Sequence, residues 1–210
     1  MEEQRKNISL GFTGEHFPES SHICLIYDNE SQRQKIVSEY LSAGINHGEL
    51  VRYFTDATQP DEIRSWLKDI GVKIPEAEKN GSFTIANADR AYCPSGHFDP
   101  HAMIDGSVQR YDKAREAGYS GMRSCGEMSW VFKGIPGSDR LLEYEALLNT
   151  VTSPFPHSGM CQYDARLFDG ATLLKVLQVH PLMIAQGQIV RNPFYVKPED
   201  FLSNTNSQKM

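Results

Sequence analysis

The side chains best suited to chemistry lie in two short segments that otherwise have the apolar character of strands. The first segment, GMRSCGEMSWVF, carries Arg123, Cys125 and Glu127 at alternate positions, which in a strand places them on one face. Strands of a covered parallel sheet are normally apolar on both faces, so charges here are costly unless they are paired or meet a ligand. We expect Arg123 and Glu127 to interact directly or through a shared ligand in a polar pocket. A strand end open to solvent is the alternative.

The second segment, GMCQYDA, repeats this polar pattern. If its strand lies beside the first, the polar groups of the two segments converge at one edge of the sheet. Trp130 and Tyr163 would add the apolar contact that is typical of small-molecule pockets. Tyr144 and Glu145, from the helix between the strands, could close the same region. The candidate ligand-binding residues are Arg123, Cys125, Glu127, Trp130, Cys161, Gln162, Tyr163 and Asp164.

The spacing of histidines and cysteines predicts neither a metal site nor a catalytic thiol. The histidines form no i, i+4 ligand pair on one helix, and the four cysteines stand singly without a CxxC pair, whereas structural zinc sites usually show close ligand pairs. We therefore expect no metal and no cofactor; a site assembled through space from His22, Cys24 and Cys161 is the alternative. An enzyme using Cys125 or Cys161 as nucleophile would need a nearby base, and no such local arrangement is present.

A working phosphate-binding loop is also missing from the sequence. Such a loop needs glycines, whose backbone N–H groups wrap the phosphates, and a lysine that reaches them. The segment after the first predicted strand, YDNESQRQK, has no glycine and carries Asp28 and Glu30, which would repel a triphosphate. The sequence contains no GxGxxG, HExxH or GxSxG motif either. We therefore predict that the protein does not hydrolyse ATP.

The elements that must position these groups alternate between strand and helix. Such alternation predicts βαβ units and a mostly parallel sheet with helices on both faces, and ligands usually bind outside the carboxyl ends of its strands. LMIA and QIV, around Gln186 and Gly187, predict a C-terminal β-hairpin. The turn-rich loop 92–100 is a candidate lid over the sheet edge. The predicted strands are 22–27, 50–55, 82–88, 121–132 and 159–165; the predicted helices follow them, the first ending near Gly44.

Composition limits the classes of protein that this chain resembles. Its 210 residues fit one domain, which we place at residues 15–202 between flexible ends at 1–14 and 203–210. The net charge of −6, the pI of about 5.6 and the lack of a basic run disfavour direct nucleic-acid binding. No apolar run approaches the ~20 residues of a membrane span, and the polar start is unlike a signal peptide. With single, reduced cysteines, the expected location is cytoplasmic.

Several of these segments together resemble a known family, the MEDS domain (methanogen/methylotroph sensory domain). The resemblance covers roughly residues 15–202 and is most specific in RxxGExxW (Arg123, Gly126, Glu127 and Trp130) combined with CQYD. It also includes HICLIY, AGINHGELVRYFT, AYCPSGHFDP, LLEYEALLN and HPLMIAQGQIVRNPFYVKP.

This resemblance implies a RecA/KaiC-like core without a working nucleotide site. It also implies that the domain senses small hydrocarbon derivatives and is usually fused to a histidine kinase or a DNA-binding domain. Because the 210 residues leave no room for such a module, we expect a non-catalytic sensing domain that either stands alone and signals through a partner protein or is a domain excised from a longer chain. The alternatives are a nucleotide-binding, ATPase-like protein with a degenerate phosphate loop and a cysteine-dependent enzyme.

Overall fold

A seven-stranded sheet organises the chain, as seen in a computed structural model that describes residues 6–152 and 155–207. Its strands are β3 His22–Tyr27, β4 Leu50–Thr55, β5 Phe83–Asn87, β6 Met122–Glu127, β7 His157–Asp164, β8 Leu182–Ala185 and β9 Gln188–Arg191. Two further strands, β1 Asn7–Ser9 and β2 His16–Pro18, form a separate two-stranded sheet. The α-helices are α1 Glu30–Asn46, α2 Pro60–Asp69, α3 Ile74–Lys79, α4 Ala88–Tyr92, α5 Pro100–Glu116, α6 Leu141–Thr152, α7 Gly170–Val179 and α8 Pro198–Ser207. Short 3-10 helices span Met128–Lys133 and Ser138–Arg140.

The order of strands in this sheet is β5-β4-β6-β7-β3-β8-β9. All neighbouring pairs are parallel except β8 and β9, which form an antiparallel hairpin. This confirms the predicted mostly parallel sheet with a C-terminal hairpin. It also confirms that the two polar segments are neighbours, since Glu127 of β6 is in register with Gln162 of β7.

The two larger apolar clusters among the described residues cover the two faces of the sheet, and a smaller third one joins α5 to the starts of β4 and β6. The first contains Ile36, Tyr40 and Leu41 of α1 together with residues of α2 and α3. The second contains Tyr92, Trp130 and residues of α6 and α7. Side chains that alternate along β6 and β7 therefore enter different cores, because successive strand residues point to opposite faces.

Local sequence signals explain where the main helices begin. The side chain of Asn29 accepts a hydrogen bond from the backbone N–H of Gln32 at the start of α1, and Asp99 caps α5 in the same way. Pro60 occupies the first turn of α2, where its missing N–H costs nothing. The starting positions of α1 and α2 fix the ends of the loops that follow β3 and β4 at the carboxyl edge of the sheet.

Helix α1 continues past Gly44, although that glycine had predicted its end. A Cβ atom at Gly44 would lie 2.8 Å from Cδ of Arg123 and 2.9 Å from a methyl carbon of Val51. The glycine therefore serves close packing of α1 against the sheet rather than helix termination.

Three further features were not predicted. Part of the segment expected to be flexible at residues 1–14 forms a hairpin, in which Asn7 of β1 is in register with Pro18 of β2, and Leu10 is fully buried. Residues 1–5 and 208–210 lie outside the described part of the chain, while 203–207 continue α8. The expected lid at 92–100 begins with the buried end of α4 and contains buried Phe98.

Within the described ranges, no helix is long and apolar enough to cross a membrane.

Candidate ligand cavity and buried polar clusters

The eight predicted site residues are all buried, but they divide between the two faces of the sheet. Cys125 belongs to the core beneath α1, whereas Trp130, Cys161 and Tyr163 belong to the opposite core. Asp164 is at the end of β7, where it accepts hydrogen bonds from Arg166. The eight residues therefore do not form one continuous pocket wall.

Arg123 and Glu127 both face α1, as expected, but they do not contact each other. Arg123 donates to both carboxylate oxygens of Glu49, at 2.6 and 2.9 Å, and to the carbonyl oxygen of Tyr40 at 2.9 Å. The expected direct interaction between Arg123 and Glu127 is wrong, because Arg123 pairs with Glu49 and Glu127 pairs with Arg33. The extended strand separates them, and Glu49 lies beside the start of β4, close to Arg123.

Glu127 is the centre of what we call the edge network, formed by Arg33, Tyr53, Glu127, Gln162 and the backbone of residues 56–58. Its Oε1 accepts hydrogen bonds from Arg33 at 2.7 Å and from Tyr53 at 2.6 Å. Its Oε2 accepts from three consecutive backbone N–H groups of residues 56–58, at 2.6 to 3.1 Å. Gln162 joins through its Oε1, which accepts from Arg33 Nε at 2.7 Å.

The electrostatics of the edge network favour a fixed ion pair. Burial opposes ionisation of Glu127, but the positive charge of Arg33 and the donated hydrogen bonds outweigh it and lower the pKa of Glu127 below its ordinary value. Arg33 is itself buried and also donates to Thr58 and Glu30. Arg33 was not among the predicted site residues, although its position three residues before Ile36 on the buried stripe of α1 was an available signal.

The edge network lies where a phosphate loop would join a first strand to its helix. Two residues, Asp28 and Asn29, connect β3 to α1. Glu30 at the start of α1 forms ion pairs with Arg33 and Arg166. Acidic groups and an arginine that is already paired thus surround this end of α1.

Trp130 is an aromatic core residue. Its ring stacks on Tyr92 with centroids 5.2 Å apart and contacts Phe98 at 4.9 Å. It is fully buried, and its Nε1 has no hydrogen-bond partner among the described residues. Trp130 thus anchors both ends of the 92–98 segment.

A small cavity lies between the sheet and helices α4, α5 and α6, on the face opposite α1. Its volume open to water is about 30 Å³, more than the roughly 10–15 Å³ that one water needs. Its lining consists of Arg52, Phe54, Tyr92, Met103, Ser107, Arg110, Met122, Ser124, Gly126, Tyr144, Leu148, His157, Gly159, Met160 and Cys161. Of the predicted site residues, only Cys161 lines it.

The cavity combines an apolar lining with unusual basic groups. Burial and the nearby Arg110 lower the pKa of Arg52, and the buried Nε of Arg52 has no acceptor among the described residues. Burial also lowers the pKa of His157 to about 3, so this imidazole is neutral and shares a 3.0 Å hydrogen bond with Ser124. An arginine nitrogen without an acceptor is a recognition group for the oxygen atoms of a ligand.

A second polar cluster is fully enclosed next to the cavity. We call His22, Glu145, Cys161 and His180 the histidine cluster. One ligand-type atom from each lies within 4.8 Å of all the others, and the donor set of two imidazoles, a thiol and a carboxylate is one that can hold a transition-metal ion. The sequence had suggested His22, Cys24 and Cys161 as an alternative metal site assembled through space. The cluster contains two of these residues, His22 and Cys161, but Glu145 and His180 take the place of Cys24.

The environment of the cysteines does not favour nucleophilic catalysis. Burial raises the pKa of the thiols of Cys24, Cys93 and Cys125 above the ordinary value, which suppresses the reactive thiolate at neutral pH.

Comparison with known proteins places this chain in a family. The family model described as MEDS, MEthanogen/methylotroph, DcmR Sensory domain, matches residues 21–181. The transcriptional repressor DcmR of Methylorubrum extorquens is 28% identical over 162 residues, covering 76% of this chain and 57% of that protein. This chain thus matches little more than half of the length of that relative.

The fold also resembles that of a solved structure. A KaiC-like protein from the hyperthermophilic archaeon Pyrococcus horikoshii OT3 superposes with a TM-score of 0.60 and 12% identity, over 85% of this chain and 79% of that one. This likeness supports the RecA/KaiC-like arrangement of strands and helices. From the family match over most of its length, the chain belongs to the MEDS family of sensory domains.

Proposed function

We propose that this chain is a non-catalytic sensing domain that binds a small organic molecule in the cavity between the sheet and α4–α6. The observation that carries the proposal is the cavity of a sensory-family protein in which the buried Arg52 Nε has no acceptor. The other lining residues are mostly apolar or small. These groups fit a hydrocarbon derivative with one oxygen-bearing or otherwise polar end.

The dimensions of the cavity limit the ligand to a few non-hydrogen atoms. Ser124, Gly126 and Gly159 leave the space on the sheet side, since larger side chains there would fill it. The aromatic rings of Phe54 and Tyr92 contact each other at 5.4 Å and provide apolar surface. One-carbon and two-carbon compounds are therefore the first ligands to test.

We propose that the signal leaves the cavity through Tyr92. A Cβ atom at Gly126 would lie 2.6 Å from the Tyr92 hydroxyl, so this ring is packed tightly against the cavity floor. Tyr92 is also the last residue of α4, and the exposed loop residues 94–97 follow it. A ligand that favours one position of this ring changes the loop surface that a partner protein reads.

The partner that we propose is a transcription regulator or a histidine kinase. The named relative is a transcriptional repressor, and this chain matches 57% of it. Sensing in this chain would therefore be coupled to an output carried by other residues or by another protein. The acidic net charge of −6 favours a protein partner over direct contact with nucleic acid.

Calorimetric titration with one-carbon and two-carbon alcohols, halides and carboxylic acids tests the cavity. Gly159→Ala is the informative variant because its new Cβ would lie 3.5 Å from Ser124 Oγ and 3.8 Å from His22, which fills space without a clash. We expect it to weaken binding about tenfold, equivalent to about 1.4 kcal/mol.

The matched control is Gly170→Ala, at a helix start with open space around it. It should bind like the wild type. Equal affinity in Gly159→Ala and Gly170→Ala would remove the cavity from the proposal, and no binding of any compound would favour a pure protein-interaction module.

A further inference from the structure

The histidine cluster shares Cys161 with the lining of the proposed ligand cavity, but its geometry leads to a separate conclusion. Oε2 of Glu145 lies 3.0 Å from His22 Nε2, 3.5 Å from His180 Nε2 and 3.4 Å from Cys161 Sγ. Cys161 Sγ is also 3.6 Å from His22 Nε2. The exposed fraction is 5% or less for each of the four residues.

The hydrogen bonds around the two imidazoles fix which nitrogen carries the proton. His180 Nδ1 lies 2.8 Å from the carbonyl oxygen of Val176, which can only accept, so Nδ1 is the donor. His22 Nδ1 lies 3.0 Å from Oδ1 of Asn149, whose amide nitrogen donates to carbonyl oxygens, including that of Val179 at 2.7 Å. Both neutral rings therefore present an Nε2 lone pair towards Glu145.

Lone pairs that converge on a carboxylate repel one another unless a positive centre lies between them. A proton on one imidazole would satisfy that ring alone and leave the other Nε2 facing an acceptor. His180 Nε2 has no hydrogen-bond donor among the described residues. A cation bound by all the facing atoms resolves the excess of acceptors, and metal-binding histidines commonly have this arrangement, in which Nδ1–H is held by an oxygen.

We propose that His22 Nε2, His180 Nε2, Cys161 Sγ and Glu145 Oε2 bind one zinc-like divalent transition-metal ion. Bond lengths of about 2.0–2.1 Å to nitrogen and oxygen and 2.3 Å to sulfur put tetrahedral neighbours about 3.3–3.6 Å apart. Four of the six separations between these atoms, 3.0, 3.4, 3.5 and 3.6 Å, are close to that range, and all six are within 4.8 Å.

Charge and surroundings fit such an ion. A divalent cation with one thiolate and one carboxylate is a neutral unit, which suits a dry interior. The hydroxyl of Tyr163 donates to the other carboxylate oxygen, Oε1 of Glu145, at 2.7 Å and so fixes the direction of Oε2. Binding releases the thiol proton of Cys161 to solvent.

The ion would join parts of the chain that are distant in sequence. His22 begins β3, Cys161 lies in β7, Glu145 lies in α6 and His180 follows α7. The site would therefore hold two helices on the sheet and, through Cys161, form one wall of the cavity.

Cobalt substitution of the purified chain tests this proposal directly. Protein stripped with a chelator and titrated with Co²⁺ should bind one equivalent and develop a thiolate-to-cobalt absorption band together with tetrahedral d–d bands. Zinc added afterwards should remove these bands, and elemental analysis should give one zinc per chain.

Two cysteine variants make the test specific. Cys161→Ser should lose the thiolate-to-cobalt band, whereas Cys125→Ser, a buried thiol on the opposite face of the neighbouring strand, should keep it. His180→Gln should bind cobalt at least tenfold more weakly. No thiolate band in the wild-type protein, or the same band in Cys161→Ser, would overturn the proposal regardless of whether any variant folds poorly.

Discussion

The edge network and the histidine cluster lie on opposite faces of the same sheet, share strand β7, and each bury a glutamate. Around Glu127, donors match acceptors, because Arg33, Tyr53 and three backbone N–H groups all point to the carboxylate. Around Glu145, one oxygen accepts from Tyr163, while the other accepts from the weak thiol donor of Cys161 and faces two imidazole nitrogens that also accept.

This difference separates a structural ion pair from a site that requires a further component. A buried charge that already makes all of its ionic and hydrogen-bonding interactions within the protein has no free group with which to bind a ligand. A buried group with an excess of acceptors is costly until a proton or a cation arrives. Burial of polar residues alone therefore does not identify a functional site; the balance of donors and acceptors does.

The largest effect should come from breaking the edge network. Glu127→Ala leaves buried Arg33 without its carboxylate and three N–H groups without an acceptor, so we expect a loss of about 3–5 kcal/mol in the free energy of unfolding. Urea denaturation measures this loss. The control is Asp61→Ala, whose side chain is 96% exposed in its pair with Arg64 and should cost no more than about 1 kcal/mol. Similar losses in both variants would show that the network is not a structural centre.

Zinc should stabilise the protein only through the histidine cluster. At free zinc 100-fold above Kd, binding to the folded state alone adds about 2.7 kcal/mol, which thermal denaturation of chelated and zinc-loaded protein detects. The increase should persist in Asp61→Ala and disappear in His180→Gln. An increase of the same size in His180→Gln would mean that zinc binds elsewhere.

The edge network should also contribute to acid sensitivity. The pKa of Glu127 is held below its ordinary value of 4.5 in the folded protein, so its stabilisation is complete above that pH. It is lost as the pH falls from about 4.5 through the folded pKa, since the unfolded chain takes up the proton first. In chelated protein, the free energy of unfolding should therefore fall more steeply in this window for the wild type than for Glu127→Gln. Parallel curves for the two proteins would contradict this assignment.

The last prediction is that the protein has no ATPase activity. Purified protein with ATP and magnesium should release no phosphate above background, because the turn before α1 has no glycine and the carboxylates of Asp28 and Glu30 would repel a triphosphate there. Glu127→Gln is the control. Turnover by the wild type that this variant abolished would turn the edge network from a structural pair into a catalytic site.

The fold was largely predictable from the sequence because it depends on local patterns. HICLIY and LVRYFT gave the bounds of β3 and β4, and apolar spacing gave the main helices. The N-terminal hairpin was missed because its two strands have three residues each, which is too short for a periodic signal.

The candidate sites were predicted less well because their partners are distant in sequence. Arg123 and Glu127 were recognised as unusual, but Glu49 and Arg33, which complete them, lie 74 and 94 residues away. The histidine cluster draws each member from a different element, so no spacing rule detects it. The available signal was Glu145, a charged residue within the apolar stripe of α6.

The position of β3 in the sheet also has a consequence for synthesis of the chain. Its two neighbours are β7 and β8, so the ribosome makes this apolar strand more than a hundred residues before either partner. During that interval β4, β5 and β6 can pair with one another, while β3 (HICLIY) still lacks both of the strands with which it pairs. Unpaired apolar strands of this kind are prone to aggregation, so we expect the nascent chain to depend on chaperones until β8 emerges.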